Sequence, residues 1–472
     1  MAQRSTKLVW TLALFFFSGA TSLVYEVLWT RRLSLTFGHT VLAVSTVLTV
    51  FMSGLALGSF LAGRWSDKER ERLEKDQQRG GPPRFLALYG KLEIGIGLWA
   101  VLSLLLLNGV EAVYLNAARG GAGSNVLYAI VFLGSFAVLL PPTTAMGATL
   151  PVFTQLLVAT RQDVGTWLSR IYGWNTLGAC CGAGVGGFVL LPLLGLKMAV
   201  GVAALGNLAI GIVAIGQAKK LQLASGPVEE TEVEPDDNLE QEQKSGGWFL
   251  PAAFGLSGFA AMVYQLGWTR GLVLSIGSST YSFAIILTAF LASLGLGSLI
   301  YKRLMQSRTP QVMHLAYLQF GIALSGLLAT VLIGKLPQVM VQAIPALDYQ
   351  FGKILAFDFI LCVFLMLLPT LAMGLTFPLV THLYTDKLSS LGKRLGEAYA
   401  ANTLGAIVGS FLGGFVLIPQ FGAHDALLGA VALNLLVGTG LALVSKGSKI
   451  PALALAALGA LAIVFSPSWD PT

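Results

Sequence analysis

Charge is what this sequence most lacks. Only 11% of its 472 residues are Asp, Glu, Lys or Arg, while 55% are hydrophobic; a soluble globular chain carries about 25% charged residues. Water is therefore excluded as the main solvent. Cysteine is scarce as well. Cys180, Cys181 and Cys362 all fall inside apolar segments, without spacing that suits a metal, and read as small packing residues. The four histidines are scattered. With no histidine pair, cysteine cluster or serine constellation, catalytic residues, a metal and a cofactor are all unexpected, and the chain does not read as an enzyme. The net charge of +7 forms no basic stripe, so a nucleic-acid partner is not expected either.

What is present is apolar sequence in repeated runs. A hydrocarbon core about 30 Å thick needs roughly 20 apolar residues per helical crossing. Runs of that kind occupy about 8–30, 39–63, 85–108, 125–157, 167–192 and 196–216, then 248–271, 279–301, 311–334, 353–380, 394–418 and 424–444, with a thirteenth over 450–466. Arg4 and Lys7 ahead of the first run, with "SGA" near residue 20, imitate a secretory signal. The run continues to about Leu28 and its pattern recurs deep in the chain, so it reads as a first membrane helix. The 64–84 loop, dense in both signs, reads as a short exposed helix ended by Gly80, Gly81 and two prolines. Residues 217–247 are acidic and read as a disordered cytoplasmic linker. Most lysines and arginines fall on one face if the amino terminus is cytoplasmic; thirteen crossings then put the carboxyl terminus outside.

Internal repetition decides the architecture. "SLVYEVLWTRRL" at 22–33 returns as "AMVYQLGWTRGL" at 261–272, and "FMSGLALGS" at 51–59 as "FLASLGLGS" at 290–298. "PPTTAMGATLPVFT" at 141–154 returns as "LPTLAMGLTFPLVT" at 368–381, and "YGWNTLGACCGAGVGGFVLLPLLG" at 172–195 as "YAANTLGAIVGSFLGGFVLIPQFG" at 399–422. Six crossings per copy bring the second copy into the membrane in the orientation of the first. The expected fold is an all-α polytopic membrane protein of two parallel six-helix repeats, 1–216 and 248–445, arranged as in the major facilitator superfamily, with 446–472 supplying an additional transmembrane helix and a short tail.

The glycines of the fifth helix in each copy, Gly178, Gly182, Gly184, Gly186 and Gly187 with Gly405, Gly409, Gly413 and Gly414, suit close helix contact. Pro141, Pro142 and Pro151, with Pro369 and Pro378, predict helices broken at membrane depth. Asn175 and Asn402 are path-lining candidates that could instead bond to those broken helices.

Ionisable residues inside apolar runs are the strongest functional pointers, because they are costly there. Glu26 and Glu93 stand out, and their repeat counterparts are Gln265 and Gln319. The same polar positions thus carry charge only in the first copy. Counting about 1.5 Å per residue puts Glu26 toward the outer end, Glu93 in the inner third and Asp358 at the depth of Glu26, so Glu26 with Asp358 could hold a cation. Alternatively, Glu26 neutralises Arg31 or Arg270. Tyr25 and Tyr264, with Trp29 and Trp268, read as an interfacial aromatic belt more readily than a cation cage.

"VYEVLWTRRL", "SGLALGS", "AMGATLP" and "YGWNTLGA…GGFVLLP", repeated in both copies, resemble the membrane portion of fused major facilitator superfamily transporter/spermidine synthase-like proteins of bacteria; "GSFLAGRWSDKER" also resembles the superfamily's loop signature. The resemblance covers about 8–466. It implies a bacterial inner (plasma) membrane and a polyamine or related cation as solute. The soluble synthase-like domain of that family is expected to be missing, since "GGAGS" at 120–124 follows no strand and makes no nucleotide loop. The functional expectation is a secondary transporter of a small cationic, polyamine-like solute, working by alternating access. The alternative is a non-transporting membrane anchor or scaffold for a synthase-like domain or for partner subunits of a larger complex. The expected partners are the lipid bilayer and the solute, with a soluble synthase-like domain or complex partner subunits in the alternative reading.

The orientation has a direct check. In a chain lacking Cys180, Cys181 and Cys362, a cysteine placed at Thr472 is expected to react with an impermeant maleimide from outside whole cells, whereas a cysteine at Ala2 is not; the reverse pattern overturns the assignment.

Overall fold

The computed structural model describes residues 2–37, 40–75, 81–157, 164–224, 248–277, 279–305, 309–385, 391–446 and 449–469. Among these, every regular element is a helix: α1 (Ala2–Phe37), α2 (Thr40–Lys75), α3 (Gly81–Arg119), α4 (Ser124–Leu157), α5 (Val164–Val185), α6 (Leu191–Ala224), α7 (Phe249–Ile276), α8 (Thr280–Met305), α9 (Val312–Gly334), α10 (Leu336–Ala346), α11 (Phe351–Tyr384), α12 (Leu391–Leu412), α13 (Ile418–Val444) and α14 (Ile450–Val464). Backbone polar groups have no partner in hydrocarbon, which is why a spanning chain of this composition closes its hydrogen bonds within helices.

Ten continuous apolar stretches are long enough to cross a membrane, and two of them run for 52 residues each, Ser169–Lys220 and Lys393–Val444. A straight helix of that length would reach about 78 Å at 1.5 Å per residue. Instead each folds back at a glycine with positive φ, Gly195 at 69° and Gly422 at 83°. The ten stretches therefore supply twelve crossings, six per half, as the repeats require. Just before each fold-back, the identical sequence "GGFVL" forms a π-helical turn, Gly186–Leu190 after α5 and Gly413–Leu417 after α12. α10 lies in the connection between α9 and α11.

The packing repeats along with the sequence. α1 packs on α5 and α6, α2 on α4, and α3 on α4 and α6; α7 packs on α12 and α13, α8 on α11, and α9 on α11 and α13. The halves meet through two related seams, α2 with α12 and α5 with α8. The glycines explain how the helices come so close. A Cβ on Gly178 would strike the Phe16 carbonyl, and one on its counterpart Gly405 the Gly255 carbonyl. Gly182 and Gly409 meet Ala20 and Phe259 in the same way, as Gly58 and Gly297 meet Thr144 and Leu371. Lipid offers helices no hydrophobic drive to associate, so contact of this kind supplies the packing energy.

Three local expectations are corrected. The 64–84 stretch forms no separate short helix: α2 continues through it to Lys75, and residues 76–80 lie outside the described residues. α6 likewise continues to Ala224, into the stretch read as linker, and the remainder of that linker, 225–247, also lies outside the described residues. The proline helices are not broken. α4 and α11 run unbroken through their prolines, and at Pro142 a neighbouring helix satisfies the freed carbonyl. Pro142 has no N–H to give Val138, whose carbonyl accepts the indole N–H of Trp99 at 2.9 Å.

α14 has 15 residues, about 22 Å. The chain after it completes the return along the bundle: Trp469 meets His424 near the start of α13 edge to face, with ring centroids 5.6 Å apart, and donates to the Thr330 carbonyl near the end of α9 at 3.0 Å. The final segment therefore ends at the face opposite the one where α13 ends.

Gly178→Leu is expected to cost about 1–3 kcal/mol through overpacking and to lower the melting temperature and monodisperse yield of the purified protein. Gly201→Leu, whose surroundings are open, should stay within about 0.5 kcal/mol. Equal melting temperatures for the two would sink this account of the packing.

Candidate functional site

A cavity of about 90 Å³ lies where α1, α2, α4 and α5 meet α12, lined in part by Ser18, Ser22, Thr149, Tyr172, Asn175 and Tyr399. Tyr172 and Tyr399 occupy equivalent places in the two repeats. Phe377 lies against both, with centroids 4.7 Å and 5.9 Å away, and Phe254 lies 6.1 Å from Phe377. These rings close the cavity toward the face where α1 begins. Nearer that face, Asp67 at the end of α2 accepts the backbone N–H of Lys393 at the start of α12 at 2.6 Å and the Gln155 amide at 3.0 Å. Ser298 donates to the Ser169 carbonyl across the other seam at 3.1 Å.

Behind the cavity wall sits Glu93, fully buried. Ser18 donates to its Oε1 at 2.5 Å and Asn207 to its Oε2 at 2.6 Å, while the Tyr25 hydroxyl donates to Asn207 Oδ1 at 2.9 Å. Tyr89, one turn earlier on α3, brings its hydroxyl alongside. Every partner is neutral. Among the described residues no cation pairs with Glu93, so hydrogen bonds alone offset its burial.

The second half holds the same cluster without the charge. Gln319 donates to Ser257 at 3.2 Å, and Asn434 lies 3.5 Å from the Tyr264 hydroxyl. Ser257, Gln319, Asn434 and Tyr264 stand where Ser18, Glu93, Asn207 and Tyr25 stand in the first half.

Glu26 is also buried, at 3% exposure, and forms no hydrogen bond or ion pair among the described residues. The expected pairing with Arg31 or Arg270 does not occur: both arginines are exposed, each on the outward side of a helix whose Leu33 or Leu272, two positions further on, is buried. Glu26 follows Ser22 by one turn on the α1 face that lines the cavity. It lies two turns beyond Ser18, about 12 Å along the axis, and so does not join Glu93. Gln265, its counterpart, is buried too. Asp358 is buried on α11 with Oδ1 unpartnered, but α11 packs on α8, α9 and α5 rather than on α1, and the structure brings Glu26 and Asp358 into no contact.

Asn175 lines the cavity and donates to the Phe15 carbonyl at 2.9 Å; Asn402 donates to the equivalent Phe254 carbonyl, also at 2.9 Å. Their partners are thus the first helix of each half and not the proline helices. Gly19 and Gly258 admit them, since a Cβ at either would press on the amide.

The aromatic belt is a further correction. Tyr25, Trp29, Tyr264 and Trp268 are at most 1% exposed. Tyr25 stacks on Trp29 at 5.5 Å and Tyr264 on Trp268 at 4.9 Å, inside their own halves. The polar tips of Tyr25 and Trp29 bond inward rather than to the membrane surface, to Asn207 at 2.9 Å and to Ser103 at 3.0 Å.

Sequence reasoning missed Ser18, Asn207, Tyr172 and Tyr399. The signal was there in the repeats, which pair Ser18 with Ser257, Asn207 with Asn434 and Tyr172 with Tyr399.

The sequence matches no protein-family model and no characterised protein. Among solved structures it is similar to a bacterial homologue of the iron transporter ferroportin in an outward-facing state, at 12% identity and a TM-score of 0.53, covering 91% of this chain and 97% of that one. The same homologue with soaked iron gives a TM-score of 0.54 at the same identity and coverage. At this identity the likeness establishes a shared fold.

Asn207→Leu removes a donor from buried Glu93 and is expected to cost about 1–3 kcal/mol, seen as a lowered melting temperature. Asn434→Leu, beside an uncharged glutamine, is expected to cost less; the opposite order would refute the assignment of Asn207.

Proposed function

We propose that the chain is a secondary transporter that moves a small cationic, polyamine-like solute by alternating access of its two six-helix halves. The observation that carries the reading is the cavity where Tyr399 of the second half closes on the first half, whose Ser18 leads to a buried carboxylate that the twin cluster lacks. A cavity of about 90 Å³ holds roughly three waters at ~30 Å³ each, which is tight for a polyamine; rocking at the α2–α12 and α5–α8 seams would widen it. The fold shared with a bacterial ferroportin homologue supports transport. Among the described residues no three His, Cys, Asp or Glu gather as metal ligands do, which favours an organic cation.

In this reading Glu26 and Asp358 attract the cation in the outer part of the path without sharing one site. Asn175 lines the path, Asn402 holds the matching position in the second half, and Glu93 couples or gates. The repeats are 1–216 and 248–445, joined through 217–247, in a bacterial inner membrane with the amino terminus cytoplasmic. The anchoring alternative calls for an apolar, filled interior and glutamates in closed ion pairs. The uncharged partners of Glu93 speak against it.

Proteoliposomes given labelled spermidine or putrescine are expected to accumulate label. Glu26→Gln and Glu93→Gln should each slow uptake about tenfold or more, a loss of about 1.4 kcal/mol. Unchanged flux in both variants would overturn the residue assignment, and no uptake of either amine by the intact protein would overturn the solute class.

A further inference from the structure

We infer that the hydroxyl of Ser18 couples the solute cavity to the protonation state of Glu93, so that an ammonium solute and a proton on Glu93 exclude one another. The inference rests on the cation-transport reading above and specifies its coupling ion, the proton, and its direction, exchange.

The argument is one of hydrogen-bond polarity. A serine hydroxyl has one hydrogen and two lone pairs. Ser18 lines the cavity, whereas Glu93 is fully buried and does not, so Ser18 is the polar group between them. When Glu93 is ionised, its Oε1 accepts the Ser18 hydroxyl, with Oγ and Oε1 2.5 Å apart; the Tyr89 hydroxyl also lies against Ser18, and the remaining serine lone pair can accept from an ammonium N–H in the cavity. When Glu93 is protonated on Oε1, the new hydrogen is donated to Ser18 Oγ, and the hydroxyl turns its own hydrogen toward the cavity. An ammonium group then meets a donor instead of an acceptor.

The rest of the cluster directs the proton to Oε1. Oε2 already receives the Asn207 amide N–H, and that amide is kept in orientation because the Tyr25 hydroxyl donates to its Oδ1. The titratable groups facing Glu93 are the phenols Tyr25 on α1 and Tyr89 on α3. α6 offers Asn207 there, with Lys197, Lys219 and Lys220 near its ends; Lys91 on α3 is exposed, and Tyr128, α4's titratable residue, is exposed near that helix's start. Glu26, the other buried carboxylate on α1, lies two turns beyond Ser18, about 12 Å along the axis, and does not reach this cluster. Charge balances at this point of the cavity for one ammonium group of the solute, which leaves the serine as one proton arrives on the carboxylate.

The test measures equilibrium binding of labelled spermidine and putrescine to the purified full chain in nanodiscs between pH 6 and 9. The apparent Kd should rise about tenfold per pH unit on the acid side, since one proton is displaced per cation. Glu93→Gln should flatten the dependence to within twofold across the range. Ser18→Ala, which keeps Glu93, should reduce the slope below threefold per unit, while Ser18→Thr, which keeps a hydroxyl, should restore it. A wild-type slope in Ser18→Ala, or a slope that survives Glu93→Gln, overturns the coupling while leaving cation transport standing. If neither amine binds wild-type protein at any pH, the transport reading itself fails and this inference falls with it.

Discussion

A bilayer gives two apolar helices no reason to prefer each other over lipid, so the molecule is held by how closely its backbones can approach. Glycine sits wherever the approach is tightest. α1 lies on α5 because Gly178 and Gly182 face the carbonyls of Phe16 and Ala20, and α7 lies on α12 by the same device at Gly405 and Gly409. The site depends on this spacing. Asn175 reaches the Phe15 carbonyl past Gly19, and that contact sets α5 against the stretch of α1 that carries Ser18. Replace the small residues and the cavity wall has no fixed position.

On this symmetric frame the two halves have diverged in a few side chains. The cluster of serine, asparagine and tyrosine survives in both, but its centre is a glutamate in one half and a glutamine in the other. The divergence extends outward. Trp29 finds Ser103, while Trp268 has Ala329 at the equivalent place and its indole nitrogen is left without a partner. One half keeps a complete polar network around a carboxylate, and the other keeps the shape with fewer bonds. Solute-linked chemistry on one side and mechanical support on the other would produce this pattern.

Much of the fold was legible in the sequence because its causes are local or periodic. Twenty-residue apolar runs, glycines at three- and four-residue spacing and an internal repeat all survive without knowledge of tertiary contacts. The site was less legible for the opposite reason. Glu93 could be singled out as a cost, but its partners Ser18 and Asn207 lie on other helices far away in the chain, and an isolated serine in an apolar run carries no signal. Glu26 was recognised as expensive, but its alternatives, a cation held with Asp358 or a pair with Arg31 or Arg270, depend on which side of each helix faces inward, and neither contact forms. Tyr25 and Trp29 looked interfacial because run edges alone do not tell depth, whereas in the bundle they lie deep between α1, α3 and α6. The continuous proline helices show the same limit: Pro142 looks like a break until Trp99, from another helix, is seen to satisfy the carbonyl it frees.

The two 52-residue apolar stretches, each bent at a single glycine, bear on how the chain is made. The connection at each bend is only a few residues, with Lys197 beside the first and Gln420, His424 and Asp425 beside the second. So short a connection ties the two helices of each pair into one hairpin as soon as both have emerged. Biogenesis of each half then ends in a two-helix step, and its fidelity hangs on one residue whose backbone angle no other amino acid adopts comfortably.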